Sequence, residues 1–191
     1  MLRCLGLQSV TSVLLGLLLV GLAPGSALAI EVGEEAPDFS LTDLDGLEHT
    51  LSGYSSHPVL LMFLACDTDV SHALAPLVQI DLQEVYASED FRVLGIESGG
   101  GSLEEVTQFR NVTGVHFPLL LDGAETRLVY DVPATSFVLV DGSSVVRYLS
   151  LGPGQEAYDP QALRSAIDEI LRESNETNEA TWGLIKSLYS D

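Results

Sequence analysis

Val59-Leu60-Leu61-Met62-Phe63-Leu64 is an apolar run without a break, the pattern of a strand buried on both faces of a sheet. A helix is expected after it. Over residues 71–86, Leu74, Leu77, Val78, Leu82 and Val85 recur at helical spacing and give one apolar stripe to lie on the sheet. Phe91-Arg92-Val93-Leu94-Gly95-Ile96-Glu97 reads as the next strand. Strand, helix and strand at this distance predict a right-handed parallel crossover.

Beyond this strand, Gly99-Gly100-Gly101 breaks the chain, and Ser102 with Glu105 has the spacing of a capping box that opens a helix through Asn111. A short strand is predicted over residues 117–121. Asp122-Gly123 then turns the chain into a brief helix ending at Tyr130, and residues 136–140 and 145–149 flank Asp141-Gly142 as an antiparallel hairpin. Asp159 precedes Pro160 at the start of a last helix, where a missing amide hydrogen is harmless, and Leu163, Ile167, Ile170 and Leu171 form its buried stripe. The order predicts an α/β sandwich with a central mixed β-sheet flanked by helices. Residues 174–179 are polar and read as a linker to a short amphipathic segment, in which Trp182, Ile185 and Tyr189 share a face as a docking tag or a contact with the parent domain.

Residues 1–29 read as an export signal. One charge at Arg3 is followed by an apolar stretch over residues 13–20 and by Ala27-Leu28-Ala29, the small-x-small pattern of a cleavage site. Gly16, Gly21, Pro24 and Gly25 interrupt the apolar run before the roughly 20 residues a membrane span needs. Cleavage after Ala29 leaves residues 30–173 as one globular domain and 174–191 as linker and tail. It also removes Cys4, so Cys66 remains as a lone thiol with no internal disulfide partner. A periplasmic or secreted location is expected, with no stable membrane span after cleavage.

Acidic residues number 28 against 8 Lys plus Arg, for a formal net charge of −20. Such a surface repels phosphate backbones and anionic lipids, which excludes nucleic acid as a partner. Cys66, Asp69 and His72 match no metal-ligand spacing, so no metal and no cofactor is expected. His49, His57 and His116 are scattered and carry no motif.

Ala36-Pro37-Asp38-Phe39-Ser40-Leu41, Asp43-Leu44-Asp45-Gly46, the strand 59–64 and Pro76 in the next helix together resemble the redoxin, or AhpC/TSA, family and its TlpA-like and peroxiredoxin-like relatives. The resemblance continues through Phe117-Pro118 with Asp122, Tyr130-Asp131-Val132 and Phe137 to Gly142, covering residues 31–152. It implies a thioredoxin-like fold and thiol-disulfide exchange or peroxide reduction. The family's chemistry is expected between the first strand and its helix, on a Cys-x-x-Cys pair. Counting back from Pro76 and forward from Phe63 puts Asp67 in the aromatic place and Thr68 and Ser71 in the two cysteine places. In the peroxiredoxin register, with one residue deleted, Thr68 matches the motif threonine and Ser71 the peroxidatic cysteine.

A hydroxyl cannot replace that sulfur, because exchange needs a thiolate, formed from a thiol with a free pKa of roughly 8.5. Thr68, Asp69 and Ser71 instead suit the open amides of a helix start. Cys66 stands two residues before the first of these places, either as a small buried apolar residue or as a displaced catalytic thiol. Asp67 and Asp69 beside it oppose thiolate formation. The family's cis-proline place falls on Ala134 and the nearest proline is Pro133, so Pro133, Ala134 and Thr135 form the candidate groove loop. Two functions follow from the resemblance and its departures. One is an exported oxidoreductase using Cys66 with an external thiol reductant; the other is a non-catalytic binding module for an envelope protein.

Overall fold

The computed structural model describes residues 29–152 and 154–188. Apart from Ala29, the expected export signal lies outside the described residues, as does Tyr189. An antiparallel pair, β1 (Ser40–Thr42) and β2 (Glu48–Thr50), precedes β3 (Val59–Leu64), which is the middle strand of a five-stranded sheet. Helix α1 (Asp69–Val78) leads to β4 (Arg92–Glu97), and α2 (Leu103–Thr113) leads to β5 (Leu119–Leu120). Helix α3 (Ala124–Tyr130) is followed by the hairpin β6 (Ser136–Val140) and β7 (Val146–Leu151), and α4 (Pro160–Leu188) closes the chain. The sheet order is β5-β4-β3-β6-β7, with β3, β4 and β5 parallel and β6 antiparallel to both of its neighbours. This is the mixed α/β sandwich expected from the sequence.

The unbroken apolar run explains why β3 is central. Successive side chains of a strand point to opposite faces. Leu60, Met62 and Leu64 pack with Leu74 and Val78 of α1, Phe109 of α2 and Leu163 and Ile167 of α4. Val59, Leu61 and Phe63 meet Phe39, Leu51 and Tyr130 on the other face. Each such side chain contributes on the order of 1.5 to 3 kcal/mol when fully buried. Tyr130 also tilts against Phe63 at 5.5 Å and donates its hydroxyl to Pro37 O at 2.6 Å, tying the N-terminal segment to the sheet.

The helix after β3 differs from its expected form. α-Helical geometry stops at Val78 and gives way to a π-helical turn over Gln79–Gln83, where Glu84 N donates to Gln79 O across five residues. The wide turn adds a residue and rotates the faces. Leu74, Val78, Leu82 and Tyr86 are buried, while Leu77, which precedes the wide turn, and Val85, which follows it, were expected on the same stripe but face solvent.

Helix α4 begins as expected, with Asp159 Oδ1 accepting from the amides of Gln161 and Ala162 at 3.0 Å each. Leu163, Ile167 and Ile170 are buried, and Leu171 is half-buried. Arg164 pairs with Asp81 at 3.1 Å, and Arg147 bridges Asp141 and Glu173 at 3.1 and 2.9 Å, fixing the first half of the helix to the domain. The linker expected over residues 174–179 is corrected by the structure, because α4 runs through it without interruption. Polarity marks a solvated helix here, supported by the Arg172 and Glu176 pair at 2.8 Å, one helical turn apart. Trp182 and Ile185 lie on this exposed extension. Among the described residues no helix is long and apolar enough to cross a membrane.

Because the core contacts of α4 end before residue 174, we propose that residues 30–173 are the folding unit. Deleting residues 174–191 is expected to leave a single cooperative transition in thermal or urea unfolding monitored by circular dichroism. A broad, non-cooperative transition would make the extension part of the core.

Candidate functional site

The site lies where β3 runs out of strand partners and α1 begins. Thr68 is the N-cap of α1, with extended backbone angles, and its Oγ1 accepts from Ser71 N at 3.3 Å. Asp69 occupies the first turn, where a negative charge suits the helix dipole. Ser71 is fully buried, and its Oγ accepts the amide of Ala65 at 3.1 Å. Thr68 Oγ1 and Ser71 Oγ lie 2.9 Å apart and share a hydrogen bond, and Thr68 Oγ1 is also 2.9 Å from Ala65 O. The two hydroxyls thus saturate the end of the strand and the start of the helix together.

Cys66 is buried between this junction and the loop after β4. Its amide donates toward Glu97 Oε1 at 3.4 Å, and its carbonyl oxygen is 3.0 Å from His72 Nε2. His72 stacks edge-on against Phe109 at 4.8 Å and serves the backbone of Cys66 rather than its sulfur. Burial pushes the Cys66 thiol up to about 11, and the charges of Glu97, Glu105 and Asp67 push in the same direction. Of the two carboxylates expected from sequence to act on it, Asp67 is among these. Beside the cysteine a cavity of about 230 Å³ opens between Asp67 and His72 on one side and Glu105, Gln108 and Phe109 on the other.

Pro133, Ala134 and Thr135 immediately precede β6, whose Ser136 is paired with Phe63 of β3. Continuing that antiparallel register carries the loop past Leu64 and Ala65 toward Cys66. Pro133 is exposed, Ala134 and Thr135 are half-buried, and Ser136 Oγ donates to Pro133 O at 2.8 Å. The fold therefore brings Cys66, Thr68, Ser71 and the 133–135 loop to one end of the sheet. Among the described residues no group of three or more His, Cys, Asp or Glu side chains is arranged to hold a metal ion.

The AhpC/TSA family model matches residues 32–148, well over half of the chain. The chain belongs to the AhpC/TSA family. It is 32% identical over 126 residues to the thiol-disulfide oxidoreductase ResA of Geobacillus kaustophilus, covering 65% of this chain and 71% of that protein. It is 30% identical over 118 residues to the methylamine utilization protein MauD of Paracoccus versutus, covering 61% and 57% of the two chains. A solution structure from Bacteroides thetaiotaomicron, assigned as a protein disulfide isomerase, superposes with a TM-score of 0.68 at 31% identity, covering 78% and 95%. A crystal structure assigned as the thiol:disulfide interchange protein DsbE of Chlorobium tepidum superposes with a TM-score of 0.67 at 23% identity over 75% and 99%, a likeness of fold. As a member of the AhpC/TSA family, the chain has a thioredoxin-like fold of the kind thiol-disulfide oxidoreductases use.

Sequence reasoning missed the residue most closely tied to Cys66, the buried Glu97. Its signal was a carboxylate ending the apolar stretch 93–96, followed after Ser98 by three glycines whose amides can hold a charge. Glu105 was read only as a cap, and Gln108 and Phe109 only as helix. Their place beside the cysteine depends on how α2 packs on α1.

The shared hydroxyl network predicts a coupled loss of stability. Ser71→Ala leaves the buried Ala65 amide without an acceptor, a cost of about 1 to 3 kcal/mol, and Thr68→Ala removes a helix cap, a cost of about 1 kcal/mol. In urea titrations the double variant is expected to lose less than the sum of the two single losses, since they interrupt one network. Additive losses would mean that the two hydroxyls act independently.

Proposed function

We propose that this is an exported AhpC/TSA-family protein in which Thr68 and Ser71 hold the places of the dithiol pair, and which works as a non-catalytic thioredoxin-fold binding module. The observation that carries this reading is the pair of hydroxyls at the head of α1, hydrogen-bonded to each other and to Ala65. In that position a disulfide oxidoreductase needs an accessible thiolate at the positive end of a helix. Ser71 is instead enclosed and structural. Cys66 offers no substitute, because its thiol is buried and its ionisation is opposed by burial and by Glu97, Glu105 and Asp67.

The relatives named as thiol-disulfide oxidoreductases support the opposite emphasis, in which Cys66 acts alone with an external thiol as resolving partner. Export rests on the pattern of residues 1–29. The end of the sheet formed by Asp67 and residues 133–135 is the binding surface in this reading, and the partner is an envelope protein rather than a nucleic acid.

The test is turnover by the exported protein. With dithiothreitol as reductant, neither reduction of insulin disulfides nor consumption of hydrogen peroxide is expected above the buffer rate, and Cys66→Ala is expected to match the wild type. Turnover abolished by Cys66→Ala would establish the single-cysteine oxidoreductase. N-terminal sequencing of the exported protein is expected to begin at Ile30; a retained leader would contradict the export assignment.

A further inference from the structure

Glu97 is a carboxylate in the interior of a protein carrying a net charge of −20, and only 1% of it is exposed. Such a group is costly to bury unless donors surround it. Here backbone amides supply them. Oε1 accepts from Gly99 N at 3.0 Å and from Cys66 N at 3.4 Å, while Oε2 accepts from Gly100 N at 3.1 Å and Gly101 N at 3.0 Å. Successive amides curled around an anion form a nest of the kind that binds phosphate in other folds. In this chain the occupant is its own side chain.

Each glycine of the loop has a separate reason. Gly100 has φ of +90°, a conformation that side chains other than glycine's rarely tolerate. A Cβ on Gly99 would stand 2.6 Å from the Cβ of Ala65, and one on Gly101 would stand 2.3 Å from the Cys66 sulfur. The backbone at Gly101 is therefore laid directly on the thiol. The triple glycine does more than break the chain, since it allows the loop to close over that sulfur while its amides turn back to Glu97.

We infer that Glu97 is a positioning residue that locks the Gly99-Gly100-Gly101 loop over the Cys66 sulfur and keeps that thiol out of exchange chemistry. This rests on the reading above, in which Cys66 does not cycle, and it supplies the cause. The groups facing the sulfur are Glu97 at the end of β4, Glu105 on α2 and Asp67 on its own loop, all of which disfavour the thiolate. His72 of α1 is engaged with the Cys66 carbonyl. No compensating cation is among the groups that act on the thiol.

The experiment follows alkylation of Cys66 by iodoacetamide against pH in the folded, exported protein. Wild type is expected to label slowly at pH 8. Glu97→Gln removes the charge and leaves one end of the side chain with a donor facing donors. Its labelling midpoint is expected to fall by about one pH unit, so that labelling at pH 8 rises about tenfold. Loosening of the fold would also lower the midpoint, by hydrating the thiol. The shift therefore counts for the inference only where Glu97→Gln keeps the cooperative unfolding of the wild type, and otherwise the acetate arm decides. In Glu97→Ala the vacated nest is expected to take acetate from solution, so that acetate, unlike sodium chloride at equal ionic strength, raises the unfolding temperature and slows labelling saturably. If Glu97→Gln does not fold, the acetate arm decides; no response there, including failure to fold in acetate, overturns the inference. Fast labelling of the wild type would overturn the proposed function. Slow wild-type labelling with an unchanged Glu97→Gln midpoint would overturn the lock alone.

Discussion

The architecture depends on how a strand buried on both faces is brought to an end. Val59 to Leu64 has no solvent to which its terminal backbone groups can turn, so the donors and acceptors just beyond it must find partners within the protein. Ser71 Oγ takes the Ala65 amide, and Thr68 Oγ1 lies within hydrogen-bond distance of the Ala65 carbonyl. The same two hydroxyls start α1, and α1 covers one face of the strand they terminate. One small network thus fixes the strand end, the helix start and the angle between them. In the register we propose, Thr68 and Ser71 stand where the resemblance implies the sulfurs of a disulfide-exchanging protein, and here their hydroxyls hold the junction closed.

The loop from β4 is built on a complementary constraint. Its glycines approach the junction closely enough to touch the Cys66 sulfur, and Glu97 collects their amides from below. Negative charge is thereby placed where a redox thiol would need positive potential. The ordinary route to a reactive cysteine is a helix start, a cation or a nearby imidazolium. Cys66 precedes the helix, is flanked by carboxylates and has its nearest histidine bonded to backbone. In the proposed reading, stability of the junction and inertness of the thiol arise from the same arrangement.

Much of the fold was legible because its signals are local. The apolar run of β3, the capping box of Ser102 and Glu105 and the turn at Asp141-Gly142 each specify an element through neighbouring residues, and the structure has each of them. The π turn after Val78 was not legible, since no local residue signal marks the five-residue hydrogen bond from Glu84 N to Gln79 O. Residues 174–179 were misread because polarity alone does not separate a linker from a solvated helix stabilised by pairs such as Arg172 with Glu176. At the site, Thr68 and Ser71 were visible as helix-start residues and by their register from Phe63 and Pro76. Glu97 was not, because burial of a carboxylate is a tertiary fact, even though the three glycines that accommodate it follow just after Ser98.

The central claim is that Thr68 and Ser71 occupy the dithiol positions of the fold, and it is tested most directly by restoring the sulfurs. In a Cys66→Ala background, Thr68→Cys with Ser71→Cys places two thiols at the N-cap and third residue of α1, one helical turn apart and within disulfide reach. Mass spectrometry after mild air oxidation is expected to show loss of one pair of hydrogens and no alkylatable thiol, with the bond readily reduced because the helix start favours the thiolate. Two free thiols persisting under the same oxidant would contradict the register, and with it the account of this chain as a redoxin whose reactive pair has become a structural one.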